Sequence, residues 1–509
     1  MPHFLFYFAV SISIPVLFIH MPMRTGGAGI DARHIVGYNG YRLLELGIVM
    51  DQMFLTTGLF GACLLQYILP KRYRVYVLLF ASVLFFICVS PPALIYVTGV
   101  TAVSYVAGRA LEKRRSKWIV GAVTAAMVIL FIGIKYSIFW CGTSLIIPMG
   151  LSYYSLMVIG YLMEVYRGTV PAEQDFARYA LFVSFFPQVV AGPIGRYKEL
   201  RRQYEEGPSF DLTEIRAGVV MVLVGFFQKM VLADNLLVLV RGICEGEFVG
   251  ISVVFAMLLY SLVIYFDFGG YSLIAIGGAK MLGVRLMDNF NAPYRAVSIQ
   301  EFWRRWHISL SSWFRDYVYI PFGGSRNGER RRDANTMLVF ILSGAWHGSL
   351  AGYLLWGGIH GCYLVAGKRT KAFRDRLFAR ARQKERFAWL QRTAVYVLVS
   401  VAWVPFFAGK LWKTRDLFLR MFAFCPWTMT DGSLMELGLN GPMMVVCALG
   451  TIFMFAIDHY NQKADFYRSI AKDHAWIRYG FCILMFCAII LAGAYGTQYY
   501  ATEFIYGQF

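Results

Sequence analysis

Apolar runs long enough to cross a bilayer recur along most of this chain, and they limit its fold more than any single residue does. Crossing the hydrocarbon core takes roughly 20 apolar residues in a helix. Clear windows are Phe4–Ile19, Gly47–Leu69, Val75–Val89, Ala93–Ala110, Ile119–Ile138, Val219–Val240 and Val253–Phe266. Later ones are Met337–His347, Ala351–Ala366, Ala394–Phe407, Met443–Ile457 and Tyr479–Tyr495. Met337–His347 is too short alone and must be extended, tilted or re-entrant. About ten to thirteen spans are expected on that reading. With 58% hydrophobic and only 16% charged residues, the composition is not that of a soluble domain. The expectation is an all-α, multi-pass transmembrane bundle.

A net charge of +19 in a soluble protein would suggest nucleic acid. Here the basic residues gather in connecting segments: Lys71–Arg74, Glu112–Lys117, Arg196–Arg202, Arg326–Arg332 and Lys368–Arg386. That is the positive-inside pattern, with anionic headgroups of the lipid bilayer as neighbours and no nucleic acid. It predicts these clusters on the cytoplasmic side, Met1 inside and the chain beyond Tyr495 outside. The loop Met21–Glu45, with Arg24, Arg33 and Arg42, fits that orientation less well. The 9 cysteines are scattered without a CxxC pair and read as small apolar residues, neither disulfides nor metal ligands. The first apolar stretch lacks a basic leader and a small-residue cleavage site, which predicts a retained helix.

Punctuation within the runs adds detail. Pro91–Pro92 predicts a tight helix hairpin. Pro148 and Gly150 interrupt the next run. Pro187, Gly192 and Pro193 are incompatible with one straight helix, and broken backbone at membrane depth must be buried in protein or line a cavity. Tyr197–Glu206 reads as an amphipathic helix at the membrane surface. Around Asp267, the glycines at 269, 270, 277, 278 and 283 allow either close helix approach or an unwound turn. Pro187–Pro193 and Asp267–Tyr271 are the expected walls of a through-going central cavity. Gln300–Tyr319 reads as one surface-lying or re-entrant helix with Phe302, Trp306, Trp313, Phe314 and Tyr317 on a shared face. The chain divides into an extra helix and loop (1–46), a core (47–367), a basic linker (368–386) and further transmembrane helices (387–509).

Two histidines stand out, His307 among Trp, Arg and Phe, and His347 inside an apolar run. An ionisable side chain in a membrane-length segment is costly, which makes it a functional-site hypothesis. From position alone, each is either a hydrogen-bonded core residue or a proton-transfer group.

The motifs FFPQVVAGPIGR, YFDFGGYS, NFNAPY, FWRRWHISLSSWFRDYVYIPFGG and SGAWHG occur in that order. Together they resemble the membrane-bound O-acyltransferase family, and more narrowly its bacterial alginate O-acetylation branch. This chain has Gly269 where that branch usually has Ser. The resemblance covers roughly Leu69 to Ala366. It implies that His347 is the catalytic histidine and His307 the second signature position, with no metal and no bound cofactor. It further implies that Trp346, Trp306, Arg305, Gln188, Asp267 and Tyr271 line the cavity or the donor site. The implied reaction carries an acetyl group from a cytoplasmic donor, acetyl-CoA, across a bacterial cytoplasmic membrane toward an extracytoplasmic polysaccharide hydroxyl. An extracytoplasmic esterase-like transferase is the implied partner. Two rivals stay open: D-alanyl transfer from a carrier protein to teichoic acid, and a transporter or flippase of lipid-linked sugars.

Overall fold

The computed structural model describes residues 61–137, 148–189, 192–348, 351–373, 376, 384–429 and 432–494. Those residues are helical and contain no strand. The expected span Phe4–Ile19 and most of Gly47–Leu69 lie outside them.

Three consecutive spans come first: α1 (Lys71–Val89), α2 (Pro91–Lys113) and α3 (Lys117–Lys135). Ser90 alone separates α1 from α2, and Pro91 and Pro92 occupy the first turn of α2, where a missing N–H costs nothing. After it, α4 (Leu151–Arg167) is buried along nearly its whole length. Then α5 (Phe176–Ser184) and the single turn α6 (Phe186–Val189) run inward. The chain returns through non-helical Gly192–Arg196 to α7 (Tyr197–Glu206). The segment is thus broken rather than one straight helix, and the Gln188 amide donates to the Pro193 carbonyl at 2.8 Å across the break.

Two long helices form the middle of the molecule: α8 (Leu212–Glu245, 34 residues) and α9 (Ile251–Met281, 31 residues). A methyl group on Gly270 would sit 2.7 Å from the Gly225 carbonyl oxygen, and one on Gly277 would sit 2.6 Å from that of Gly218. The glycines therefore bring two backbones into contact. Asp267–Tyr271 is uninterrupted helix, so of the two readings the unwound turn is corrected to close approach.

The expected single helix over 300–319 is two: α10 (Ile299–Arg305) and α11 (Ile308–Phe314), the second continuing as a π turn through Arg315–Tyr319. His307 makes the break, with φ 43° in the left-handed region. The hydrogen bonds a continuous helix would have made go instead to the preceding loop. Ile308 N donates to Asn289 O at 2.9 Å and Asn291 N to Arg305 O at 3.0 Å.

The hairpin of α12 (Gly328–His347) and α13 (Ala351–Arg369) follows. Last come α14 (Lys384–Ala408), α15 (Leu411–Met421), α16 (Gly441–Asn461), α17 (Phe466–Lys472) and α18 (Ala475–Ala492). Eight helices among the described residues are long and apolar enough to cross a membrane, three of them beyond residue 386.

The basic ends of these elements meet. Arg196 pairs with Asp316 at 3.1 Å, Arg369 with Asp333 at 2.7 Å, and Lys280 and Arg468 with Glu214 at 3.4 and 3.3 Å. Two hydrophobic cores lie behind that face. One is built from α1–α7 with Leu310, Trp313, Phe314, Tyr317 and Trp346. The other is built from α8, α9 and the C-terminal helices with Phe302, Trp303, Trp306 and Trp356. The chain passes from one core to the other several times, and two of these crossings, Trp306 to Leu310 and Trp346 to Trp356, each carry one of the two histidines.

Candidate active site

His347 ends α12, and helix ends leave carbonyls without intrahelical partners. Those carbonyls are satisfied from α3 and the residue after it. The Lys135 ammonium donates to the Trp346 carbonyl, and the Tyr136 hydroxyl reaches the Ala345 and Gly348 carbonyls at 3.3 Å each. The last turn of α12, and the imidazole on it, are held in place by these contacts.

The ring of His347 is oriented from within its own helix. Its Nδ1 lies 2.7 Å from the Ser343 carbonyl oxygen, which can only accept, so Nδ1 carries the proton. The lone pair is thereby on Nε2. His307 stands opposite, with ring centroids 6.3 Å apart and planes at 78°. Both imidazoles are buried, with exposures of 1% and 2%. Phe268 packs edge-on to His307 at 4.7 Å, while Trp346, Trp356 and Phe406 surround His347 at 4.8, 4.9 and 5.8 Å. A buried neutral imidazole with a fixed tautomer is suited to take a proton from a hydroxyl or thiol. A second imidazole across the gap can hold a developing oxyanion or a carbonyl oxygen.

A cavity of about 500 Å³ lies behind Phe406 and Tyr353, at the end of the bundle away from the basic clusters. Arg241, Glu245, Lys413, Asp416 and Arg420 line it along with Tyr260 and Trp412. Its walls come from α8, α9 and α13–α15. The expected walls, Pro187–Pro193 and Asp267–Tyr271, do not line it, because both are closed by their own packing against neighbours.

The other expected residues fall in different places. Trp346 touches both histidines, at 4.8 Å to His347 and 6.2 Å to His307. Trp306 sits in the core instead, stacked on Phe302 at 5.3 Å and against Trp403 at 5.3 Å. Arg305 pairs with Glu301 at 2.9 Å and bonds to Asn291 and Gln462, fastening loops at the basic end. Gln188 bonds to the Pro193 carbonyl across the helix break. Asp267 binds Lys229 at 2.6 Å, and Lys229 also binds Asp234 at 2.7 Å and lies 5.4 Å from the Tyr271 ring. That cluster packs on α8.

Lys135, Tyr136 and Ser343 were not anticipated. Lys135 carries the same signal as His347, an ionisable group within an apolar run. Ser343 carries none, since its carbonyl is the acting group.

Residues 33–403 match the model of the membrane-bound O-acyltransferase family. A probable alginate O-acetylase of Pseudomonas putida is 33% identical over 423 residues, 78% of this chain and 85% of that protein. A peptidoglycan O-acetyltransferase of Helicobacter pylori is 34% identical over 301 residues, 52% and 55% of the two chains. A teichoic acid D-alanyltransferase of Streptococcus thermophilus is 27% identical over 330 residues, 60% and 79% of the two chains. The match spans the two crossings that carry the histidines, in a chain with eight membrane-length helices among its described residues. The chain therefore belongs to the membrane-bound O-acyltransferase family and is a multi-pass O-acyltransferase.

Proposed function

We propose that the chain moves an acetyl group from acetyl-CoA on the cytoplasmic side of a bacterial cytoplasmic membrane to a polysaccharide hydroxyl outside it. The observation that carries this reading is the fixed tautomer of His347, a buried base facing His307 where the two cores meet. In the reaction, His347 Nε2 takes the proton of the attacking hydroxyl as its oxygen bonds to the acyl carbon. His307 stabilises the oxygen that becomes negative. The carbon–sulfur bond then breaks, and the leaving thiolate accepts the proton from His347. The same steps serve a relay in which an extracytoplasmic esterase-like transferase receives the acetyl group first.

The five basic clusters orient the chain, so the donor arrives from their side. The charged cavity behind Phe406 and Tyr353 then faces the acceptor. Membranes containing the protein and given radiolabelled acetyl-CoA should transfer label to an exogenous or endogenous polysaccharide. Label transferred only from a D-alanyl carrier protein makes the activity that of the D-alanyl relatives. Flux of a lipid-linked sugar that survives His347→Ala makes it a transporter.

A further inference from the structure

His360 is a third buried histidine, and the reaction described above does not use it. It lies midway along α13 with 0% exposure. Trp303 Nε1, a group that can only donate, points at His360 Nδ1 at 3.2 Å. That bond fixes the tautomer: Nδ1 accepts, and the proton is on Nε2. Nε2–H is itself fully buried, with no acceptor among the described residues. The indole N–H groups of Trp356 and Trp403 are in the same condition, and their rings lie 5.2 and 5.9 Å from that of His360. Three N–H donors without an acceptor therefore share one aromatic cluster. A buried donor left without an acceptor is destabilising, so such a cluster is not what packing alone would select.

The position is informative as well. Trp356 lies between two imidazoles, 4.9 Å from His347 on one side and 5.2 Å from His360 on the other. From His360 the helix continues to Lys368 and Arg369, which are tied to Thr336 and Asp333 at the basic end. His360 is thus one aromatic ring away from the base, toward the side from which the donor comes on the acyl-transfer reading.

We infer that His360 Nε2–H, its tautomer set by Trp303, binds the amide carbonyl that follows the thioester in the pantetheine arm of the acyl donor. This rests on the acyl-transfer reading. When the thioester carbon is at His347, the next carbonyl of such an arm lies a few atoms further toward the basic end. It is an acceptor, which is what the cluster lacks. The arm is thereby drawn to a fixed depth, and the reacting carbon is placed opposite His347 without any charge being buried.

Two truncated acetyl donors of equal length isolate this contact. S-acetyl-N-acetylcysteamine keeps the amide carbonyl, and S-pentyl thioacetate replaces the amide with methylenes. The wild-type protein in proteoliposomes should prefer the amide donor in kcat/KM by about tenfold, the value of one hydrogen bond. His360→Phe should bring the ratio near one, His360→Gln should keep most of it by donating from the same position, and Trp303→Phe should reduce it by freeing the tautomer. KM for the acceptor should not move. A ratio unchanged in folded His360→Phe and Trp303→Phe overturns the inference while leaving acyl transfer intact. A wild-type protein that transfers acetyl from neither surrogate nor acetyl-CoA overturns both.

Discussion

Asp267 and Phe268 are neighbours in α9, yet they belong to two buried clusters of different construction. Asp267 turns to Lys229 and Asp234, where opposite charges meet at 2.6 and 2.7 Å. A π-helical stretch over Phe227–Ala233 makes that possible, since a π turn bonds residues five apart and brings Asp234 back over Lys229. Phe268 turns to His307 and the space before His347, where the titratable groups are imidazoles and the neighbours are aromatic rings. The first cluster spends its charges on one another and is fixed. The second holds an imidazole whose Nδ1 donates to a backbone carbonyl, which puts the lone pair on Nε2. Burial alone does not mark an active site. The second cluster differs in that its imidazole is oriented by a backbone carbonyl rather than by an opposite charge.

Substitutions at four positions test that contrast. The largest effect is expected from His347→Ala, which should lower acetyl turnover by about a hundred- to ten-thousand-fold, the range for a lost general base. Its unfolding midpoint should stay near wild type, because no charge pair is broken. Full turnover in a folded His347→Ala protein would rule out the assignment.

Lys229→Met should behave in the opposite way. Breaking a buried ion pair by removing one partner costs on the order of 3–5 kcal/mol, so the folded yield should fall. Turnover per folded molecule should persist. A stable Lys229→Met protein with normal substrate binding and no turnover moves the chemistry to the charged cluster.

At His307 the backbone and the side chain must be separated. Left-handed φ is tolerated by Gly and by Asn better than by Ala. His307→Asn should therefore keep both fold and most turnover. His307→Gly should keep the fold and lose roughly tenfold or more in turnover if the imidazole stabilises an oxyanion. His307→Ala should lose some of each. Equal turnover in the Gly and Asn variants leaves His307 with a backbone role only.

The smallest effect is expected from Gly269→Ser, which restores the residue usual in the alginate branch. The Gln228 Oε1 atom is buried without a hydrogen-bond donor and lies 3.2 Å from where the new Cβ would be. A hydroxyl there can donate to it after a small shift, so the change in stability should stay within about 1 kcal/mol. A larger loss, read by thermal unfolding, shows that the α8–α9 contact has no room to adjust.

The fold was legible because its determinants are local. Run length gives the spans, Pro91–Pro92 the hairpin, and Pro187 with Pro193 the broken helix. The glycines of α9 announced a close contact without saying with what, because the partners Gly218 and Gly225 lie on another helix. The break at His307 was not legible, since it depends on Asn289 and Asn291 accepting and supplying hydrogen bonds across a loop. Nor was the placement of Trp306 and Arg305, which share a motif with His307 but turn to the core and to the basic end. A motif gathers residues in sequence; a helix break scatters them in space. His347 was found by its cost in an apolar run, and Lys135 could have been found on the same ground.

The contact between Lys135 and the end of α12 crosses 211 positions of sequence. During synthesis the cap is therefore inserted long before the base it steadies. A chain halted between α3 and α12 has the lysine and no imidazole. A chain with α12 inserted but the N-terminal helices undocked has an imidazole on a frayed helix end. On the proposed function, neither half has the imidazole in its steadied position. The end of α12 is steadied only once the two parts of the chain have docked.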